Sequence, residues 1–176
     1  MKLVFDTNII IESHVFDVWS QLKVRAGIIV TDGVLDEVSH FCPPGSLERE
    51  IIDKSSSVLP FVKVENPTPE DLMGIVNLFN DPFLNRMDPG EREIVALAYA
   101  GKFAEDCKIC TADVPAIEAL ALVDRKEMGI SFEEVLGCLG LRKNLRRSLG
   151  AYTKTDFEKA LESGAIAKIQ ETHFRR

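Results

Sequence analysis

Short apolar segments alternate with helix-like segments along most of this chain, and no other feature restricts its possible folds as strongly. Apolar runs at residues 2–5, 28–30, 61–64 and 108–111 have the length and composition of buried strands. Segments with a helical spacing of apolar residues lie between them. Strands that alternate with helices form parallel sheets through right-handed crossovers. We therefore predict an α/β fold, a single-domain three-layer sandwich with a central parallel sheet flanked by helices.

Helix boundaries are predicted from cap residues, prolines and glycines. Thr68 followed by Pro69 marks one helix start, and Asp88-Pro89-Gly90-Glu91 marks another that continues to about residue 104. The other predicted elements are helices at about 8–24, 33–42, 46–56 and 113–128, a loop at 81–90, a short strand at 130–132, and helices from there to the end.

The composition is that of a folded protein without a membrane span. The chain has 176 residues, 45% of them hydrophobic, which is enough for one domain with a substantial core. It contains no apolar stretch of the roughly 18 residues that a membrane span needs. The apolar start, MKLVFDTNIII, is interrupted by Asp6 and has no small-residue cleavage site. We therefore expect no signal peptide and a cytoplasmic location.

Four cysteines in a chain of this length do not indicate a disulfide scaffold. Cys107 and Cys110 form a C-x-x-C pair, but a zinc site would need a second pair of ligands at similar spacing. A redox motif would open a helix, whereas this pair lies in a predicted strand. We interpret both residues as buried thiols.

The net charge of −7 argues against a protein that coats nucleic acid by charge alone. It is compatible with a nuclease, because a carboxylate pocket around a divalent metal contributes to the negative total. Positive residues are concentrated late in the chain, and they suit a solvated helix face and a contact with a substrate backbone equally well. These residues are Arg142, Lys143, Arg146, Arg147, Lys154, Lys159, Lys168, Arg175 and Arg176.

Four acidic residues fall where the predicted fold brings separate segments to one edge of the sheet. Asp6 directly follows the first strand, and Asp113 lies just past the last long apolar run. Glu37 lies on the helix after the second strand, and Glu91 lies in the first turn of its own helix. Sites in open parallel sheets form outside the carboxyl ends of the strands. We therefore predict a functional site built from these four acids.

Each acid also has an ordinary structural explanation. Glu91 stands three residues after Asp88, which is the spacing of a capping box. Asp113 precedes Val-Pro and suits a helix N-cap, and Asp6 suits an Asx turn. Glu37 taken alone would be an exposed helix residue. The convergence of four separated segments is what favours the functional interpretation.

In sequence order, these segments resemble the PIN-domain family. The resemblance lies in Asp6-Thr7-Asn8 after an apolar strand, Thr31 followed by Glu37, residues 90–98, and Thr111-Ala112-Asp113. The Gly-Glu helix start is similar to the branch of VapC-like ribonucleases whose third acid is Glu. The resemblance covers about residues 1–140, as a PIN-like nuclease domain. Residues 141–176 are then expected to form a C-terminal helical extension packed on the same domain.

The resemblance implies a metal-dependent endoribonuclease that hydrolyses RNA phosphodiester bonds with metal-activated water. Asp6, Glu91 and Asp113 would hold Mg²⁺ or Mn²⁺ directly or through water, because hard cations prefer carboxylate oxygens. Glu37 would hold a second metal or orient the attacking water. Asn8 and Thr111 would contact the phosphate or fix a carboxylate, and turn roles for both are equally open.

The resemblance also implies partners. They are RNA as the substrate, a second copy in a homodimer, and an antitoxin protein if the chain is the toxin of a toxin–antitoxin pair. The alternative hypothesis is a non-catalytic PIN-like module that binds RNA or protein. A phosphatase with an aspartyl nucleophile is disfavoured, because such enzymes usually need a second acid two residues on, where Asn8 stands.

Overall fold

Four parallel strands form the centre of the protein. The structure is a computed structural model that describes residues 1–43, 48–145 and 150–175. The strands of the central sheet are β1 (Lys2–Phe5), β2 (Gly27–Val30), β5 (Val62–Val64) and β6 (Cys107–Cys110), and a separate antiparallel pair consists of β3 (His40–Phe41) and β4 (Glu50–Ile51). The order in the central sheet is β5-β2-β1-β6, with every pairing parallel.

Helices flank this sheet, so the predicted α/β class and three-layer arrangement are confirmed. In the described part of the chain the α-helices are α1 (Thr7–Val15), α2 (Trp19–Arg25), α3 (Asp32–Glu37), α4 (Pro69–Leu78), α5 (Asp81–Leu84), α6 (Pro89–Tyr99), α7 (Val114–Leu122), α8 (Phe132–Cys138) and α9 (Lys154–Gln170). Short π-helical and 3₁₀ turns cover Lys54–Val58, Leu59–Phe61 and Lys126–Met128. No helix in the described ranges has the length and apolar character needed to cross a bilayer.

The register of β1 and β6 brings two site segments together. Leu3, Val4 and Phe5 are fully buried, as expected of a central parallel strand covered on both faces. Phe5 pairs with Cys110, and the backbone N–H of Asp6 continues the ladder to the carbonyl of Cys110. The residues that follow β1 and β6 therefore leave the sheet side by side, at its carboxyl edge.

The predicted helix over residues 8–24 is two helices. It breaks at Asp17, whose φ of 52° lies in the left-handed region. The N–H of Val18 bonds to the carbonyl of Ser13, which gives the turn a Schellman-type closure. A helical spacing of apolar residues is compatible with such a break, because both pieces still bury one face.

Three further helices also end earlier than predicted. α6 stops at Tyr99 rather than at about residue 104, and Gly101 just after it takes a φ of 67°. α3 stops at Glu37, because the buried Val38 adopts extended backbone and leads into β3. α7 stops at Leu122, where Asp124 takes a φ of 57°. Each early end leaves room for a turn that the periodicity of apolar residues does not reveal.

The remaining differences concern weak segments. The loop expected at 81–90 contains α5, capped by Asn80. The expected strand at 130–132 is reduced to a bridge between Gly129 and Ile109, because Ser131 caps α8 instead. The predicted helix at 46–56 lies partly outside the described residues, and its described part holds β4 and the start of a π-helical turn.

The C-terminal segment packs on the rest of the chain mainly through α9 and α7. Gly164 of α9 lies directly against Glu118 of α7, so a Cβ at Gly164 would be 2.5 Å from the Glu118 carbonyl oxygen. Ser163 donates a hydrogen bond to Glu118 Oε1 at 2.8 Å. Beyond α9, the N–H of Asn80 bonds to the carbonyl of His173, and the N–H of Arg175 to that of Leu78. These contacts anchor the described end of the chain.

We expect Gly164→Ala to lower the free energy of unfolding by roughly 1–3 kcal/mol, because the added methyl overpacks the α7–α9 contact. Chemical denaturation measures the change. Gly137→Ala is the matched control, since a Cβ there meets nothing within 4 Å and alanine favours the helix. Equal stability of the Gly164 variant and the wild type would contradict this close packing.

Candidate functional site

Asp6 is the buried centre of the candidate site. Its Oδ1 accepts a hydrogen bond from the N–H of Ile9 at 2.8 Å and so caps α1. Its Oδ2 accepts from the hydroxyl of Thr111 and, at 3.3 Å, from the N–H of Ala112. Burial raises the pKa of Asp6 to about 6, against the lowering effect of these hydrogen bonds and with a further increase from the charge of Asp113.

Glu91 lies in the first turn of α6 and is only 5% exposed. Its Oε2 accepts a hydrogen bond from the N–H of Asp88 at 2.9 Å, so the predicted capping-box contact is present. Burial, together with the charges of Asp113 and Asp6, raises the pKa of Glu91 to about 8. The same carboxylate thus caps a helix and lies within electrostatic range of the other two acids.

Asp113 completes a group of three acids. It is half-buried, and its Oδ1 accepts a hydrogen bond from the N–H of Ala116 at 3.4 Å, as an N-cap of α7. Its pKa is raised by burial, and the charges of Asp88 and Glu118 add to the increase. Arg86 has the opposite effect on this pKa. We refer to Asp6, Glu91 and Asp113 as the acidic triad.

Thr111 connects two members of the acidic triad. Its buried hydroxyl donates to Asp6 Oδ2 and accepts a hydrogen bond from the N–H of Asp113 at 3.1 Å. The residue therefore fixes a carboxylate, which is one of its predicted roles. Asn8 is exposed in the first turn of α1, and the described residues show no hydrogen bond to its side chain.

Glu37 lies beside the acidic triad, but both of its oxygens already have partners. Its Oε2 accepts from the hydroxyl of Thr7 at 2.8 Å, and its Oε1 accepts from the N–H of Gly90 at 3.2 Å. Thr7 follows Asp6 and Gly90 precedes Glu91 along the chain. Glu37 therefore bridges the starts of α1 and α6, and this geometry favours a positioning role over direct metal binding.

The glycine before Glu91 is explained by a close approach of α3 and α6. A Cβ at Gly90 would lie 2.8 Å from the backbone nitrogen of Val34. Gly33 faces the same contact, and its N–H donates to Glu93 Oε2 at 2.9 Å. The close packing of α3 against α6 thus requires a glycine at position 90. This packing also holds Glu91 at the carboxyl edge of the sheet. The partner role of Glu93 was not predictable, because its spacing resembles that of any exposed helix residue.

Tyr152 is a neighbour of the site that sequence reasoning missed. It is buried, and its pKa is raised by burial and then by acidic neighbours that include Asp6 and Asp113. The segment before it is attached to the site, because the N–H of Ala151 bonds to the carbonyl of Ala112 at 2.8 Å. No local signal connects a tyrosine some 40 residues downstream to Asp113. The C-terminal segment therefore contributes to the surroundings of the acidic triad.

The donor set of this site suits a hard divalent cation bound mainly through water. All candidate ligands are carboxylate or hydroxyl oxygens, which Mg²⁺ and Mn²⁺ prefer. Burial is the largest cause of the raised pKa of each of the three acids, and the charges of neighbouring carboxylates add to the increase. In the described parts of the chain, however, no three His, Cys, Asp or Glu side chains stand close enough to form a direct metal cage.

The other chemically interesting residues lie elsewhere. Cys107 and Cys110 are buried in β6, as predicted, and burial raises the pKa of both thiols. Arg146, Arg147 and Arg176 lie outside the described residues, and Arg142 and Lys143 are exposed. Several late basic residues pair with acids, which favours a solvated helix face: Lys154 with Glu134 and Glu158, Lys159 with Asp156, Lys168 with Asp124, and Arg175 with Asp81.

Comparison with protein-family models, with curated proteins and with solved structures gives no match to this chain.

Proposed function

We propose that this protein is a metal-dependent ribonuclease that hydrolyses phosphodiester bonds of RNA. The observation that carries the proposal is the meeting of three acids from separate segments at the carboxyl edge of a parallel sheet. Asp6 and Asp113 share Thr111, and both raise the pKa of Glu91. Mutual repulsion of this kind costs stability unless a cation is bound. The ordered motifs that resemble the PIN domain support the same function.

Asp6, Glu91 and Asp113 would hold Mg²⁺ or Mn²⁺, largely through water molecules. The bound cation would supply a polarised phosphate and an activated water for in-line attack. Thr111 and the N–H of Ala112 keep Asp6 Oδ2 in one orientation. Glu37 keeps the starts of α1 and α6 together, and so fixes the separation of Asp6 from Glu91. Such preorganisation is what a site of this kind requires from the protein.

A nuclease assay tests the proposal directly. Purified protein is incubated with labelled single-stranded RNA in Mn²⁺, in Mg²⁺ and in EDTA. We expect cleavage with either metal and none in EDTA. Absence of cleavage across RNA substrates of varied sequence and structure, with both metals, would contradict an enzymatic role.

One observation favours the second hypothesis, a non-catalytic PIN-like module that binds RNA or protein. Both oxygens of Asp6 already accept hydrogen bonds from Ile9, Thr111 and Ala112. These hydrogen bonds are also explained by a purely structural role, in which the Asp6 carboxylate stabilises the chain at the ends of β1 and β6. RNA binding without cleavage in the assay above would support this hypothesis.

The wider role is part of the proposal, and the partners in it rest on the resemblance alone. We propose RNA as the substrate and a homodimer, in the cytoplasmic location expected from the sequence. In a toxin–antitoxin pair, a small antitoxin protein would bind the chain. Co-expression with the product of a neighbouring small reading frame tests this role, since an antitoxin would suppress the cleavage.

We expect Mn²⁺ to raise the melting temperature relative to EDTA. A metal that binds only the folded site stabilises by mass action, which amounts to roughly 5–10 °C at a concentration about 100-fold above Kd. Differential scanning calorimetry at pH 8 measures the shift. Asp106→Asn serves as the control that keeps the shift, because Asp106 pairs with Lys2 at the opposite edge of the sheet. Equal melting temperatures in Mn²⁺ and EDTA would argue against a cation site.

A further inference from the structure

Arg86 is a cation held at the border of the acidic triad. It lies in the turn between α5 and α6, two residues before Asp88. Its Nη2 is 3.1 Å from Glu118 Oε2, and its guanidinium lies 5.4 Å from the centre of the Phe83 ring. The N–H of Asp88 bonds to Glu91, and Glu118 lies on α7, the helix that Asp113 caps. In keeping with this position, the charge of Arg86 lowers the pKa of Asp113. The ion pair of Arg86 with Glu118 therefore connects the turn before α6 to the middle of α7.

Glu118 is the buried partner that holds Arg86 in place. Only 7% of its side chain is exposed, and its Oε1 accepts the hydrogen bond from Ser163 of α9. Its Oε2 is buried and has no well-oriented hydrogen bond among the described residues, so the nearby guanidinium supplies its charge compensation. A buried carboxylate of this kind restrains the position of its partner, because separation would leave an uncompensated charge.

The guanidinium is anchored on one side only. The side chain of Arg86 remains 42% exposed, although Glu118 and Phe83 both contact it. An arginine carries five N–H donors in a planar fork, and the contact with Glu118 uses one nitrogen. Its charge is permanent, and its fork matches the oxygens of a phosphate. An oriented and partly exposed guanidinium beside a carboxylate site is suited to hold an anionic group there.

We propose that Arg86 binds a backbone phosphate of the RNA next to the acidic triad, and so sets where the strand lies on this edge. This inference rests on the proposed ribonuclease function, since it assigns the contact that positions that substrate. The net charge of the chain is −7, so affinity for a polyanion depends on local cations of this kind. Glu118, through Ser163, connects the placement of Arg86 to the C-terminal helix α9.

The test measures RNA binding rather than cleavage. Labelled single-stranded RNA of mixed sequence is titrated by fluorescence anisotropy with Mn²⁺ present, in an Asp6→Asn background in which cleavage is strongly reduced. We expect Arg86→Gln to weaken binding about 10-fold at low salt. The slope of log K against log salt concentration should become shallower by about 0.7, the value for one phosphate contact on a single strand. Arg86→Lys should keep most of that slope.

Two variants separate phosphate binding from folding. Arg86→Gln combined with Glu118→Gln removes the buried charge together with its partner, and should show the same loss of affinity with a normal melting curve. Arg25→Gln removes one arginine before β2, at the amino edge of the sheet, and should leave affinity and slope unchanged. A purely structural role of Arg86 would not change the salt slope.

The outcomes distinguish this inference from the proposed function. If the background protein binds RNA and the double variant binds it with the same affinity and slope, the role of Arg86 is wrong and the ribonuclease proposal stands. If the wild type neither binds nor cleaves RNA, both fail together. Loss of affinity in the double variant, but not in Arg25→Gln, supports the phosphate contact.

Discussion

Asp6→Asn is expected to reduce metal-dependent RNA cleavage by at least about 100-fold while the protein remains folded. Even residues that only support a metal ligand contribute about 10- to 100-fold to activity, so loss of a charged ligand should cost at least as much. Asparagine is also a good N-cap, so Oδ1 can still accept the hydrogen bond from Ile9. Initial rates of cleavage, with circular dichroism spectra of both proteins, measure the two effects.

Asp106→Asn is the matched control for that experiment. It makes the same chemical change immediately before β6, whereas Asp6 lies at the carboxyl edge of the sheet. Its carboxylate makes an exposed ion pair with Lys2 at 3.3 Å, and such pairs contribute little to stability. We expect unchanged cleavage. Full activity of the Asp6 variant would remove Asp6 from the mechanism, and with it the central carboxylate of the proposal.

Glu91→Gln is expected to make the metal-free protein more stable than the wild type at pH 8, by roughly 1–3 kcal/mol. The pKa of Glu91 is about 8 in the folded protein, against an ordinary value of 4.5. Between these two values, the folded state binds a proton that the unfolded state has already lost. Stability of the wild type in EDTA should therefore fall as the pH rises from about 4.5 to about 8, and level off above.

The glutamine variant should lose most of this pH dependence, because its side chain does not ionise and can still accept the hydrogen bond from Asp88. A decrease between about pH 3.8 and pH 6 should remain, because the pKa of Asp6 is raised from 3.8 to about 6 in the folded protein. Denaturation curves in EDTA at several pH values measure both effects. Glu105→Gln, a change at an exposed site, should follow the wild type. If the free energy of unfolding of Glu91→Gln and of the wild type changed with pH in the same way, ionisation of Glu91 would not lower stability, which would contradict this prediction.

The site is partly predictable from local signals in the sequence. Asp6 and Asp113 follow apolar strand segments, and parallel strands leave a sheet at one edge, so their proximity follows from the fold class. The caps at Thr68 and Glu91 were predictable from spacing alone, and both are observed. These features depend on chemistry within a few residues, which is why they can be recognised without a structure.

The helix ends were less predictable. Asp17 and Asp124 adopt left-handed backbone conformations that end or interrupt helices, although aspartate is not the usual residue for that position. Apolar residues continue at helical spacing past both positions, since the next element buries them as well. The spacing of apolar residues indicates which residues are buried, but it does not indicate where the chain turns, so it could not locate these helix ends.

The sequence by itself determined the α/β class, the parallel sheet and the order in which the acidic residues reach its edge, because strand burial and helix capping are local properties. Only the tertiary structure decided what those acids contact. The bridge from Glu37 to Gly90, the ion pair of Arg86 with Glu118 and the hydrogen bond from Ala151 to Ala112 join residues far apart in the chain. Such contacts depend on the three-dimensional packing of whole elements, which no short stretch of sequence encodes.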